Sequence, residues 1–465
     1  MKSKKILVLV GVFLLSCFGT KICAQNADDN SKSGTFRLET PVRPEGQQNV
    51  LQLRCDPIPI VRVAFIGLGS RGQEAIRRFM YLEGVEIVAL CDINKDFVTK
   101  AQKLLANNNK KPALEFSNGP EDWKNVCKLK NVDLIYTCTP WNLHTPIAVY
   151  AMENGKHVAT EVPAASTVED CWKLVNTAEK NRRHCMMLEN CCYDFFEMAT
   201  LNMVQQGVLG EIVHAEGAYI HDLRSLNFGD PKKDGYQGMW RLKHNEKHTA
   251  NPYPTHGLGP VCQALNIHRG DKLNSLVSMS SDQFGMSLYA KKTFGDSSAF
   301  AKQHYELGDM NTTIIRTQKG KTIMIQHDVT SPRPYNRIHM LSGTKGFVEK
   351  YPVQSIALEP NAHESLSQKE IDKMLKKYEH PIVTEVGKKA KEVGGHGGMD
   401  FIMDFRLIYC LRNGLPLDED VYDAAEWSCL TELTEISVRN GSIPVEIPDF
   451  TRGDWNKLQG LQFAK

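Results

Sequence analysis

The chain has 465 residues, with 56 basic against 54 acidic side chains and a formal net charge of +2. So even a balance excludes a nucleic-acid or anionic-surface binder that works by bulk charge. The length allows two domains, and no low-complexity run or internal repeat argues for a solenoid or a linker.

The first 24 residues read as a signal peptide. Met1–Lys5 is basic, and Ile6–Cys17 is apolar but too short to span a bilayer. Two export readings stay open. Cleavage after Ala24 would release a soluble periplasmic protein. Leu14-Leu15-Ser16-Cys17 also resembles a bacterial lipobox, which would put a lipid anchor on Cys17 and make an outer-membrane lipoprotein of a Gram-negative bacterium. Residues 25–60 follow as a polar, proline-dotted arm (Pro41, Pro44, Pro57, Pro59). Eleven cysteines lie beyond Ala24, several inside apolar patterns, and none has CxxC spacing. They read as buried free thiols rather than a disulfide or zinc framework.

From Val61 strands and helices alternate, which predicts a parallel sheet with crossover helices. The first strand, Val63–Ile66, is apolar on both faces and runs into Gly67-Leu68-Gly69-Ser70-Arg71-Gly72. In such a loop the first glycine allows a tight turn. The second lets backbone approach a pyrophosphate, and the third lets helix pack on strand. The helix after it, patterned from Gln73, offers free N–H groups to the phosphates. A second strand, Val85–Cys91, ends at Asp92, about 20 residues on, where an acid that bonds the adenosine ribose is expected. This predicts dinucleotide binding, with NAD favoured over NADP because the residue is an acid and not an Arg. Further strands end at Trp141-Asn142-Leu143-His144, at Glu161-Val162 and at Asn190. Ligands of open α/β sheets lie outside the carboxyl ends of the strands, so these residues should line one crevice.

The glycine loop, Cys91-Asp92, Thr139-Pro140-x-x-x-His144, Gly155-Lys156-His157-Val158 and Glu161-x-Pro163 together resemble the glucose–fructose/inositol/glucoside oxidoreductase superfamily. The resemblance covers Val61 to Asp449. It implies a doubly wound Rossmann sheet over 61–190 and a C-terminal α/β domain with an open mixed sheet over 191–465. One departure matters: the family's Glu-Lys-Pro reads Glu161-Val162-Pro163 here, without the lysine that assists hydride transfer in ordinary dehydrogenases. Tyr219-Ile-His221-Asp222-Leu223-Arg224, Met239-Trp240-Arg241, Asn190-Cys-Cys-Tyr193 and Asn251-Pro-Tyr253-Pro254-Thr255-His256-Gly257-Leu258-Gly259-Pro260 are more specific. They resemble glycoside hydrolase family 109, bacterial α-N-acetylgalactosaminidases that keep a bound NAD.

That resemblance implies a glycan substrate with a terminal α-linked N-acetylgalactosamine. The scheme oxidises the sugar at C3, eliminates the aglycone, adds water at C1 and reduces C3 again, with retention. It implies NAD contacts from Gly67, Gly69, Ser70, Arg71, Gly72, Asp92, Trp141–His144, Glu161, Val162, Asn190 and Tyr253–His256. It implies sugar contacts from Tyr219, Arg241, Tyr253 and Tyr335. His256 is the first choice for the base near C2, because imidazole titrates near neutrality; the alternative is a packing histidine. Tyr253 reads as substrate ligand or proton partner. Gly394-Gly395-His396-Gly397-Gly398 cannot form a stable helix and reads as a mobile loop. It either carries His396 in as acid/base for the leaving group or is an exposed linker. Glu161 is a second acid/base candidate or a cofactor-positioning group. No metal is expected, since His221, His244, His248 and His268 lack a zinc pattern, and no Gly-x-Ser-x-Gly elbow supports serine chemistry. A sugar oxidoreductase that releases NADH, and a non-catalytic sugar binder, remain as alternatives. An oligomer stays open.

Overall fold

The computed structural model of the chain describes residues 34–230 and 236–464. The expected signal peptide, with Cys17 and Ala24, and the start of the arm lie outside the described residues.

Strand β1 (Val61–Ile66) is buried at five of its six positions, as its apolar run requires. The exception, Arg62, holds Asp133 through Nε at 2.8 Å and Nη2 at 2.6 Å. Around β1 lie β2 (Val85–Cys91), β3 (Leu114–Phe116), β4 (Leu134–Thr137), β5 (His157–Thr160) and β6 (Cys185–Met187). All pairings are parallel, in the order β3-β2-β1-β4-β5-β6. The winding reverses between β1 and β4, which opens a crevice at their carboxyl ends. Beneath it Phe65, Phe79 and Tyr136 pack with centroids 5.1 Å apart in each pair, about 0.5–1.5 kcal/mol per pair beyond area burial.

The second sheet has eight strands, in the order β13-β12-β11-β7-β10-β9-β8-β14. They are β7 (Ile212–Ile220), β8 (Leu273–Ser280), β9 (Asn311–Thr317), β10 (Thr322–Asp328), β11 (Met340–Gly343), β12 (Gly346–Glu349), β13 (Ser355–Leu358) and β14 (Val445–Glu446). β7 and β10 are parallel and the other pairs antiparallel, so the expected open mixed sheet is present. Burial in β9 alternates along the strand, the mark of a sheet covered on one face. The helix Thr255–Ala264 packs against β7 and β10 on that covered face.

The chain then returns to the first sheet. Asp404, on the helix Met399–Asn413, accepts from Arg78 Nε at 2.7 Å and Tyr136 Oη at 3.0 Å. Ser428 and Glu432, on the helix Val421–Arg439, accept from the Ala164 and Val168 amides. Residue 190 therefore separates two sheets but does not divide the main core, in which Phe65 and Ile76 share one apolar cluster with Phe401 and Leu430; a smaller cluster around Phe228, Met286 and Tyr305 lies wholly beyond residue 190. The described part of the arm is also fixed, by Arg43 on Glu179 and Asn49 on Asp454. The eleven described cysteines are free, nine of them buried and the other two partly so.

Candidate active site

Gly67 turns the chain off β1 at φ +86°, where a Cβ would stand 2.7 Å from the Cys138 carbonyl carbon. A Cβ on Gly72 would stand 2.1 Å from the Gly67 carbonyl oxygen, so close helix–strand contact demands glycine there. Gly69 is different: nothing lies within 4 Å of the position of its Cβ. It begins the helix Ser70–Phe79 without a side-chain cap, leaving the first N–H groups aimed into open space. This cradle fits a dinucleotide pyrophosphate. Asp92 accepts the Leu68 N–H and the Asn94 N–H, each at 2.7 Å, and so ties the loop to the end of β2. Burial pushes its carboxyl above the ordinary range, against the pull of those two bonds.

Arg71 reaches across the crevice. Its Nε donates to Glu161 Oε1 at 2.5 Å and its Nη1 to Asp400 Oδ2 at 2.6 Å. Asp400 is fully buried and also accepts from Asn190 Nδ2 at 2.5 Å. Burial alone would raise its pKa, but Arg71, His396 and Arg78 hold it well below the carboxylate range. His396 Nδ1 lies 2.9 Å from the same Asp400 oxygen. The expected mobile loop is thus anchored at its histidine, and the ring stays over half exposed at its outer side. His396 sits at φ +45°, within a run of four glycines at φ +75° to +112°, which is why glycines surround it. His144 is buried, and both its ring nitrogens lie 2.7 Å from backbone carbonyls, of Pro163 and Thr139, which ties the helix start to the turn after β5. Trp141 to His144, expected as a strand-end loop, form the first turn of the helix Trp141–Glu153; Asn142 is exposed there and Leu143 half-buried. Val162 is buried, and Ser70 is exposed at the first helical turn.

The second wall comes from β7 and the helix Thr255–Ala264. Pro254 stands at the N-cap of that helix, Thr255 is buried in its first turn, and His256 follows, so this proline- and glycine-bounded stretch is a helix start. Helix and strand meet through glycines: a Cβ on Gly217 would stand 2.2 Å from the Gly257 carbonyl oxygen. This close approach sets Tyr219 beside His256, with ring centroids 5.3 Å apart. Tyr253 lies 4.7 Å from Tyr219 and edge-on to His256 at 4.9 Å. Trp141 stacks on Tyr253 at 5.7 Å, which joins the crevice to this aromatic wall. Arg241 is buried, with its guanidinium 4.8 Å over Tyr253 and 5.0 Å over Trp141. Its Nη1 donates to Tyr236 Oη at 3.0 Å; among the described residues no carboxylate pairs with it and its Nη2 has no acceptor. Such a group is poised for an oxygen from a ligand. Tyr335 closes the wall, 5.0 Å from His221. Burial depresses His221, and the positive charge of Arg241 adds to that.

Two residues here escaped the sequence reading. Glu189, fully buried two residues past β6, lies with Oε1 2.7 Å from His256 Nδ1. Its strand-end position was the available signal, and it was spent on Asn190. Asp400 follows His396 at helical spacing, which hinted at the contact but not at the crossing to Arg71. Glu189, Cys191 and His256 bring three donor atoms within 4.8 Å of one another. Arg337 Nη1, 3.0 Å from the Cys191 sulfur, disfavours a cation there.

Residues 61–189 match the oxidoreductase family described as an NAD-binding Rossmann fold, and residues 193–457 match the glycosyl hydrolase 109 C-terminal domain. An alpha-N-acetylgalactosaminidase of Bacteroides fragilis is 59% identical over 420 residues, 90% of this chain and 98% of that protein. A glycosyl hydrolase family 109 protein of Phocaeicola vulgatus is 58% identical over 409 residues, 88% of this chain and 99% of that one. Among solved structures, myo-inositol dehydrogenase from Lactobacillus casei with NAD(H) and myo-inositol superposes with a TM-score of 0.58 at 17% identity, over 84% of this chain and 99% of that chain. A levoglucosan dehydrogenase with NADH and L-sorbose gives 0.62 at 14%, over 84% and 100%. At that identity the likeness is one of fold.

Proposed function

The chain belongs to the glycosyl hydrolase 109 family, and from that premise we propose that it hydrolyses terminal α-linked N-acetylgalactosamine with NAD as its resident cofactor. The observation that carries the reading is the continuity of Trp141, Tyr253 and His256, which supports a base at the junction of the dinucleotide crevice and the aromatic wall. When bound, NAD supplies a reversible hydride acceptor for a ring carbon, which acidifies the neighbouring C–H. The glycine loop, the N-terminus of the helix Ser70–Phe79 and Asp92 would hold it. His256 removes and returns the proton at C2 through Nε2, the nitrogen not engaged by Glu189. Tyr219, Arg241 and Tyr335 hold sugar oxygens, with the unpaired Arg241 Nη2 facing the acetamido carbonyl or a hydroxyl. His396 protonates the leaving oxygen, and Glu161, fixed by Arg71, orients the cofactor side of the crevice. Val162, buried and apolar, offers no proton donor in place of the superfamily's lysine, which disfavours a plain sugar dehydrogenase.

The test is incubation of purified protein with p-nitrophenyl α-N-acetylgalactosaminide without added NAD. Steady release of nitrophenol supports the glycosidase. Net NADH formation with free sugar and added NAD, and no nitrophenol, would replace it with the oxidoreductase. The basic and apolar start of the chain supports export, either cleaved near Ala24 or lipidated on Cys17.

A further inference from the structure

We propose that Glu189 is the positioning residue for His256, fixing the imidazole proton on Nδ1 and leaving Nε2 as the basic atom in the sugar cleft. The inference rests on the glycosidase reading, in which His256 moves the C2 proton.

The geometry is a short contact between a buried carboxylate and a ring nitrogen. Glu189 Oε1 lies 2.7 Å from His256 Nδ1, and the glutamate is 0% exposed. The carboxylate is itself held, since Oε1 also accepts the Cys191 N–H at 3.1 Å. Gly259, one turn along the helix from His256, makes room: a Cβ there would stand 2.8 Å from Glu189 Cγ and 3.0 Å from the Trp427 ring. The His-Gly-Leu-Gly spacing therefore serves two contacts. Gly257 seats the helix on β7, and Gly259 lets Glu189 pass beneath it.

Chemistry then decides the tautomer. Burial works to raise the Glu189 pKa, but His256 and the Cys191 amide keep it below its ordinary value. An ionised carboxylate only accepts hydrogen bonds, so the proton between the two groups belongs to Nδ1. His256 stands in the first turn of the helix Thr255–Ala264, where the helix dipole disfavours imidazolium. Glu189 opposes that effect with a full charge at contact distance. When Nε2 takes a proton, the imidazolium is balanced by Glu189, which does not itself need to be protonated. Glu419, Cys191 and Cys192 also face Glu189, and burial raises all three, so none competes as an anion. Tyr219, Tyr253 and His221 also face His256; burial raises both phenols and lowers His221.

The test is Glu189→Gln in the holoenzyme. A wrong or mixed tautomer should lower kcat on the order of 10²–10⁴-fold with the nitrophenyl substrate. KM should change little, since Glu189 lies behind His256 and does not face the sugar, so the loss falls on kcat. NAD content and thermal midpoint should stay near wild type. A wild-type kcat, or a loss carried by KM alone, overturns the proposal. Selective ¹⁵N-histidine NMR of the wild-type holoenzyme tests it without any folded Glu189 variant, with His256 assigned by the signal lost in His256→Ala. The proton is expected on Nδ1; a proton on Nε2 overturns the proposal. The NMR needs no substrate, so failure of wild type to release nitrophenol would sink the glycosidase reading alone.

Discussion

Gly257→Ala probes the contact that brings His256 to the cleft. A Cβ at position 257 would stand 2.3 Å from the Ala218 amide nitrogen, about 1.1 Å inside the 3.4 Å at which ordinary contact begins. The neighbour is backbone and cannot yield easily. Ala218 pairs with Gln326 of β10 on one side, and its N–H donates to the Arg337 carbonyl at 2.8 Å on the other. The helix must therefore retreat by about 1 Å from β7, taking His256 away from Tyr219. Two stability effects oppose one another. Alanine gains about 0.8–1.0 kcal/mol of helix propensity over glycine, while overpacking costs about 1–3 kcal/mol. The net loss is about 0–2 kcal/mol, so the protein should fold with a slightly lowered thermal midpoint. Activity should suffer far more, because a 1 Å misplacement costs on the order of 10²-fold. The dinucleotide cradle is built from other residues, so NAD content should not change. The assay is kcat with the nitrophenyl substrate, alongside NAD per chain by mass analysis and the thermal midpoint. Wild-type kcat would refute the reasoning, since the Gly217–Gly257 approach would then not set the position of His256. A parallel loss of NAD would show that the substitution acts through the whole fold.

The same added methyl group should act differently at Gly69, where no atom lies within 4 Å. Gly69→Ala should keep its fold but lose bound NAD, measured by nucleotide released on denaturation; full retention would mean that the phosphates do not approach Gly69. His396→Ala should lose most rate with poor leaving groups and least with nitrophenolate, which needs little protonation; equal losses across a leaving-group series would remove His396 as the acid. Cys17→Ser should move the protein from the membrane to the soluble periplasmic fraction if Cys17 is lipidated, because the several chains of a mature lipoprotein anchor stably. An unchanged fractionation would favour cleavage near Ala24.

Local pattern was enough for the first sheet. A strand buried on both faces must be apolar throughout, and Val63–Ile66 is; a turn at φ +86° and a helix crossing at contact distance require Gly67 and Gly72. The strand ends at Asp92 and Glu161 follow from the same alternation, whereas β6 stops at Met187 and Asn190 begins a short 3-10 turn. The motif Tyr253–Pro260 marks a site but does not give its conformation. Proline and glycine suggest a bend, but here Pro254 starts a helix and Gly257 and Gly259 are glycines because β7 and Glu189 come too close for a side chain. Sequence alone shows that a residue must be small, whereas the neighbour that forbids its Cβ appears only when the two sheets are packed. The loop around His396 shows the same limit. Its four glycines signal backbone freedom; the histidine is tied locally to Asp400, four residues on, and only the tertiary contacts of Asp400 with Arg71 and Asn190 fix that anchor in place. The ion pairs of the site are the furthest from sequence. Glu189 meets His256 across 67 positions and Arg71 meets Asp400 across 329. No local period or steric rule encodes such a meeting. It follows from where the helices Thr255–Ala264 and Met399–Asn413 return to the carboxyl edge of the parallel sheet, and only packing decides that.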